Sequence, residues 1–374
     1  MSTPNLLYSD VETDLRASVR DLLADRCEPS TLLARVESEQ PYDPALWRTL
    51  SAELGLGGLH VPEELGGQGA STRETALVLE ELGRAVAPVP FLGSAVLATS
   101  VLLRADTSTE PVAALLRRLA GGEATAALAV PMSSAAGSAF PSSVRVGADG
   151  SLDGAVATVA DAAVADVLVV PATGDEGPGL YEVDTSAAGV EVADVVPLDL
   201  TRRVADVTLR RAPARLLAGP RLAVPALEHG LLVGAGLLAS EQLGVAQWCL
   251  DETVSYLKGR YQFGRPVGSF QALKHRIADR WLELVAARAA ARYAADVLAT
   301  GGEDAGVAVA VAQSYCAGVA VHAAEECVQL HGGIGMTWEH PAHLYLKRAK
   351  ADEITLGAPG RHRATLAGLV DLPG

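Results

Sequence analysis

Two hydrophobic periodicities occupy separate stretches of this chain and never alternate, and that segregation constrains its fold more than any single motif. From about residue 8 to 120 apolar residues recur at helical spacing. Val11, Leu15, Val19, Leu22 and Leu23 form one such series, and Thr75 to Val86 repeats the pattern with Glu80 and Glu81 expected on the wet face. From about Ala124 to Ala214 the apolar runs shorten (Ala127 to Val130, Ser143 to Val146, Val164 to Val170, Gly189 to Val196, Arg203 to Leu209) and are separated by Gly, Asp and Pro. Short runs at close intervals predict a small antiparallel barrel or sandwich. Helical spacing returns near Leu222 and holds almost to the end, with breaks near 263–269, 299–304 and 332–341. Alternating strands and helices would build a parallel α/β sheet; helices, then strands, then helices predict an α+β chain. The expected division is an N-terminal helical domain over 1–122, a central β domain over 123–216 and a C-terminal helical domain over 217–374.

At 374 residues the chain can enclose two or three cores. Its net charge of −15 argues against nucleic acid or an anionic membrane as partner, because no bulk positive field exists to attract phosphate. Any phosphate site must be local, built from single arginines and backbone amides. Cys27, Cys249, Cys316 and Cys327 show no CxxC spacing and read as small buried apolar residues in a reducing cytoplasm, not as a disulfide frame or a zinc site. No metal ligands are assigned. Met1–Pro4 carries no basic segment followed by an apolar one, so no signal peptide is expected. The apolar runs Gly230 to Ala239 and Val307 to Ala312 read as too short or too interrupted to span a bilayer. The expectation is a cytoplasmic protein with no membrane partner.

The break at 260–271 carries the most chemistry. Arg260-Tyr261-Gln262-Phe263-Gly264 runs through a turn with Pro266 and Gly268 to Phe270-Gln271, between two helical patterns. Such a turn can offer a guanidinium and an apolar ring to a large anionic ligand lying across helix ends. Gly55 to Gly69 must be a tight loop, and it reads as packing, since it lacks the Lys-Ser/Thr ending of a P-loop and follows no strand. Gly332-Gly333 suits a helix C-cap, and Gln329 before it tips the reading toward a cofactor; His331 reads as a structural residue at a helix end.

Four motifs in order resemble the flavin-dependent acyl-CoA dehydrogenase family over nearly the whole chain: the loop with Val61-Pro62-Glu63-Glu64 and Gly66-Gly67-Gln68-Gly69, the 260–271 turn, Gln329-Leu330-His331-Gly332-Gly333-Ile334-Gly335, and Lys347-Arg348-Ala349-Lys350 at the start of the last signature helix. The resemblance implies a C-terminal four-helix bundle and FAD as cofactor. It also implies that Arg260, Gln262, Phe263, Phe270, Gln271, Gln329, Gly332 and Gly333 hold the diphosphate and adenosine end of a neighbouring subunit's FAD.

Dehydrogenating an acyl-CoA needs a desolvated carboxylate to take the α-proton, a flavin to take the β-hydride, and donors to the thioester carbonyl. Registered on Lys347-Arg348-Ala349-Lys350, the family's catalytic Glu-Gly falls at Leu356-Gly357. The alternative base, on the first helix of the bundle, falls at Gly234. The family's Thr-Glu-Pro flavin loop is matched by Ala129-Val130-Pro131, with Ser133, Ser134 and Ser138 shifted beyond, and Thr158 replaces the Trp that covers the ring. No catalytic residue is therefore assigned.

The resemblance is to the non-catalytic subunits of paired, actinobacterial steroid side-chain dehydrogenases. It implies an α2β2 hetero-oligomer in which a related catalytic subunit supplies the base and flavin loop and binds most of the acyl-CoA, with an electron-transfer flavoprotein as an acceptor. Two alternatives stand. In one, a self-sufficient homotetramer uses Glu353 or Asp352 as a displaced base, since Glu353 would share a face with Leu356 on a continuous helix. In the other, the chain is a flavin-free scaffold. Glu228, Glu241, Asp251 and Glu252 read as solvated or interhelical acids.

Overall fold

Helices precede the sheet in the computed structural model, which describes residues 5–372; Met1–Pro4, read above for a leader, lie outside the described residues. They are α1 (Asp10–Arg26), α2 (Pro29–Val36), α3 (Pro44–Arg48), α4 (Thr72–Arg84), α5 (Thr99–Arg104) and α6 (Glu110–Ala120). Strands follow: β1 (Ala126–Leu128), β2 (Val144–Val146), β3 (Leu152–Ala160), β4 (Val167–Gly174), β5 (Gly177–Asp184), β6 (Val190–Asp194), β7 (Val204–Ala212) and β8 (Arg215–Ala218). The last part holds α7 (Pro220–Gly259), the hairpin strands β9 (Tyr261–Gln262) and β10 (Arg265–Pro266), then α8 (Gln271–Thr300), α9 (Ala305–His331), α10 (Ala342–Ile354) and α11 (Pro359–Leu369).

The chain divides into two compact units. One is Arg35–Thr75 with Pro88–Ala235; the other is Met1–Ala34, Ala76–Ala87 and Gly236–Gly374. The first holds the sheet, in the order β6-β7-β3-β2-β4-β5-β8 with β1 also on β4. Most pairs are antiparallel, but β1 and β2 both run parallel to β4. The sheet is thus mixed rather than wholly antiparallel, because the chain leaves β1 by a long loop and returns to the same strand in the same direction. Strands β3, β5 and β8 lie outside the five runs read from the sequence; β3 is interrupted by Gly154 and a register shift between Val156 and Val159 that breaks its alternation. Leu152, Val156, Val159, Leu168, Val170, Val207 and Leu209 form the sheet's core, each contributing about 1.5–3 kcal/mol on burial. The Gly55–Gly69 loop is packing, as read. A Cβ at Gly58 would lie 2.5 Å from the Ala120 side chain, and one at Gly67 would lie 2.0 Å from the Val61 carbonyl oxygen.

In the other unit α8 and α9 pair antiparallel, tied by Arg276–Glu326 at 2.6 Å and by the Cys316 thiol on the Ala287 carbonyl at 3.4 Å. Cys249, Cys316 and Cys327 are buried as expected, while Cys27 is half-buried. Two readings change here. Glu80 and Glu81 are 3% and 1% exposed, because the Arg16 and Arg20 guanidiniums of α1 and the Tyr8 hydroxyl cover them. Helices α7 and α9 are also long and apolar enough to cross a membrane, contrary to the sequence reading, with 67% of each apolar window buried inside the protein. That burial marks them as core helices. The bundle ends in two helices rather than one, because left-handed backbone at Leu356 and Gly357, followed by Pro359, separates α10 from α11. Among the described residues, five helices follow the sheet.

Candidate functional site

Helix α7 stops at Gly259, with the Arg260 N–H still donating to the Tyr256 carbonyl at 2.9 Å. Strands β9 and β10 then pair around Phe263-Gly264, whose φ values of 54° and 74° are both left-handed. A two-residue hairpin of this type demands positive φ at both turn positions, which glycine accepts readily and phenylalanine rarely adopts. The turn lifts Phe263 into solvent at 89% exposure. Its ring stands edge-on to Phe270 at 6.2 Å, and the Arg265 guanidinium lies over the Phe270 ring at 3.8 Å. Phe270 is the N-cap of the 30-residue α8 and offers no side-chain cap, leaving the positive end of the helix open beside the turn. Gln262 Nε2 donates to the Tyr261 carbonyl at 2.8 Å, and Gln271 meets His275 at 3.4 Å. Arg260 is exposed, and among the described residues its guanidinium has no ion-pair partner.

A second cluster forms at the C-terminal end of α9. Gln329, Gly332 and Gly333 are exposed. Gly332 has φ 64° and ψ −137°, a conformation essentially reserved for glycine. A Cβ at Gly332 or Gly333 would meet nothing within 4 Å, so both backbones face open space. Since α8 and α9 are antiparallel and Arg276 bridges to Glu326, the 260–271 turn and the end of α9 lie at the same end of the pair. His331 is buried, with Nδ1 donating to the Cys327 carbonyl at 2.6 Å. Burial pulls its pKa down, but hydrogen bonding to Cys327 outweighs this and leaves it raised.

The positions registered as catalytic carry no acid: one holds Leu356 and the other Gly234. Helix α10 ends at Ile354, so the continuous helix on which Glu353 would share a face with Leu356 does not exist. Leu356 sits at φ 57°, 2% exposed, and its carbonyl accepts from His362 Nε2 at 3.0 Å. A non-glycine residue held there stores roughly 1–3 kcal/mol of strain, which the surrounding structure must over-determine. Glu353 lies 3.7 Å from Lys350 Nζ, Asp352 is fully buried, and Gly234 is buried inside α7.

In the sheet-containing unit the stretch matched to the flavin loop meets the one matched to the covering Trp. The Met132 N–H donates to the Thr158 carbonyl at 2.9 Å, joining the loop after β1 to the irregular step in β3. Ala129 and Val130 are 1% and 4% exposed and Ala129 belongs to the sheet core, whereas Thr158 is exposed at φ 55°.

Two family models match this chain, the acyl-CoA dehydrogenase N-terminal domain over residues 9–123 and the acyl-CoA dehydrogenase C-terminal domain over 224–369. Acyl-CoA dehydrogenase IpdE2 of Mycolicibacterium smegmatis is 35% identical over 92% of this chain and 94% of its own. The chain belongs to the acyl-CoA dehydrogenase family. Among solved structures it is similar to a variant of the Tcur3481–Tcur3483 steroid acyl-CoA dehydrogenase, with 32% identity, TM-score 0.85, and 97% and 98% of the two chains covered. It is also similar to the ChsE4–ChsE5 complex of Mycobacterium tuberculosis, with 29% identity, TM-score 0.85, and 99% and 100% covered.

For a member of this family, sequence reasoning missed three features of these segments. Arg265 stacks on Phe270, and its place in the same turn as Arg260 was the available signal. Trp338 is half-exposed and stacks on the His343 ring at 4.2 Å, with Lys347 Nζ 4.0 Å from its ring centre. The Met132–Thr158 contact is between backbones and leaves no side-chain signature.

Proposed function

We propose that this chain is the non-catalytic subunit of a heteromeric FAD-dependent acyl-CoA dehydrogenase, holding the diphosphate and adenosine end of a FAD whose ring lies on a related catalytic subunit. The observation that carries the reading is Leu356, an apolar side chain sealed from solvent at the position registered for the catalytic Glu. Leucine can neither take the α-proton of a thioester nor release one.

The residues present fit one end of FAD and not the other. Arg260 is exposed and, among the described residues, unpaired; α8 opens without a side-chain cap, and Gly332 and Gly333 allow close backbone approach, which together suit a diphosphate. Gln262, Phe263, Phe270, Gln271 and Gln329 supply polar and aromatic contacts around it. By contrast, Ala129 lies in the sheet core and Val130 is buried beside it, and neither side chain carries a hydrogen-bonding group for a flavin ring. FAD, when bound, supplies the hydride acceptor; this chain's share is binding and orientation. Exposed apolar side chains on the same unit, with Phe263 89%, Met336 79%, Leu282 60% and Trp281 56% exposed, suit a protein partner.

The partner, on this reading, supplies the base and flavin loop in an α2β2 assembly and binds most of the acyl-CoA, for which a steroid-derived thioester is proposed by analogy with the Tcur3481–Tcur3483 relative. The 1–122, 123–216 and 217–374 domain division, the cytoplasmic location and an electron-transfer flavoprotein as acceptor belong to the same proposal. Co-expression with a related dehydrogenase chain tests it. A yellow complex with two FAD per four chains, and a colourless chain alone, is expected. Stoichiometric FAD and acyl-CoA oxidation by the chain alone would overturn it.

A further inference from the structure

Around the loop between α9 and α10 stand three side chains to which the FAD reading gives no role. Glu252 near the end of α7, His331 at the end of α9 and His340 in the loop each place a ligand atom within 4.8 Å of the other two. His340 Nε2 lies 3.9 Å from Glu252 Oε1, and the two imidazole rings are 4.3 Å apart.

His331 is built as a ligand. It is 2% exposed, and its Nδ1 lies 2.6 Å from the Cys327 carbonyl oxygen, which can only accept. In the neutral ring the proton is therefore fixed on Nδ1, and Nε2 carries a lone pair. That Nε2 is buried and, among the described residues, has no hydrogen-bond partner. A backbone carbonyl orienting one imidazole nitrogen so that the other faces a metal is a recurrent arrangement around histidine ligands, and a buried acceptor without a donor is a cost that a cation would remove.

We propose that Glu252, His331 and His340 form a divalent transition-metal site of the zinc class, three protein ligands with one position open. Two imidazoles and one carboxylate favour such an ion over magnesium or calcium. Tetrahedral coordination at about 2.0–2.1 Å requires the donor atoms to close to roughly 3.3 Å of one another. Glu252, with its side chain 40% exposed, has the freedom to move inward. His340 must change tautomer: its Nδ1 now accepts from the Ala342 N–H at 3.2 Å, and a metal on Nε2 places the ring proton on Nδ1 and ends that bond. The metal would pin the 332–341 loop to both α7 and α9. That loop begins with Gly332 and Gly333, yet the site does not depend on any flavin.

Zinc uptake tests this on the purified chain, or on its complex if that is the soluble form, after chelator treatment and dialysis. Calorimetric titration with Zn²⁺ should show one site per chain and raise the melting temperature, and Co²⁺ should give the visible absorption of a low-symmetry nitrogen–oxygen site. H340N and E252Q should each weaken Zn²⁺ binding at least tenfold with unchanged circular dichroism. If H340N fails to fold, E252Q decides, since Glu252 is half-exposed. No uptake by the unmodified chain overturns the site, as does equal uptake by the variants.

Discussion

Met132 and Thr158 are joined backbone to backbone, the Met132 N–H donating to the Thr158 carbonyl at 2.9 Å while the Thr158 N–H donates to Asp206 Oδ1 at 2.8 Å. Both bonds leave the Thr158 side chain free of any structural duty, and its β-branched carbon is held at φ 55°. Left-handed backbone costs a residue with a Cβ about 1–2 kcal/mol. T158G should therefore keep both backbone bonds and leave the chain as stable or up to about 1 kcal/mol more stable in urea melts. Flavin content of the co-expressed complex should not change. A tenfold fall would mean that the hydroxyl holds a flavin after all, and the reading of this wall as blank would fail.

Arg260 offers a cleaner separation of binding from folding. Its guanidinium is exposed and unpaired among the described residues, so R260A should alter stability by less than about 0.5 kcal/mol. Loss of a charge-assisted contact to a diphosphate is worth roughly 1.5–3 kcal/mol, or tenfold or more in FAD affinity. Flavin absorbance per complex after gel filtration measures it. An unchanged flavin content would favour the scaffold alternative.

The parts legible in the sequence were those written in local periodicity or turn chemistry. Gly264, Pro266 and Gly268 announced the turn between α7 and α8, and Gly301, at φ 66°, closed α8 where the helical spacing failed. What stayed hidden depended on contacts between distant residues. Glu80 and Glu81 looked solvated because Arg16 and Arg20, about sixty residues earlier, supply the countercharge. The parallel pairing of β1 and β2 with β4 is set by chain crossing, which alternation does not encode. Helix α10 appeared to continue through Leu356 because leucine ordinarily favours helix; here tertiary structure holds it left-handed. Glu252, His331 and His340 have no ligand spacing along the chain, since each comes from a different element.

Glu353 discriminates between the paired and self-sufficient enzymes. It ends α10 beside Lys350 and has lost the shared face with Leu356 on which a catalytic role depended. E353Q should leave turnover by the complex within about twofold and stability within about 0.5 kcal/mol, since the partly exposed pair is worth little. Loss of activity with FAD retained would restore the displaced-base reading and remove the need for a catalytic partner.

His60 makes the sheet-containing unit sensitive to acid. Its ring sits between the Thr75 and Ser100 hydroxyls, each at 3.4 Å. Burial, with a smaller contribution from His229, lowers its pKa from 6.5 to about 4. Above pH 6.5 the ring is neutral in both folded and unfolded chains, and its contribution to stability is fully present. As pH falls from 6.5 toward 4 the unfolded chain takes up a proton that the folded chain refuses, so stability declines with each step. His229 and His362, also lowered chiefly by burial, act in the same direction. Urea melts between pH 7.5 and 4 should show that decline, and H60Q should flatten it while lowering stability at pH 7.5 by about 1 kcal/mol through its lost hydrogen bonds. A slope identical in H60Q would place the acid sensitivity elsewhere.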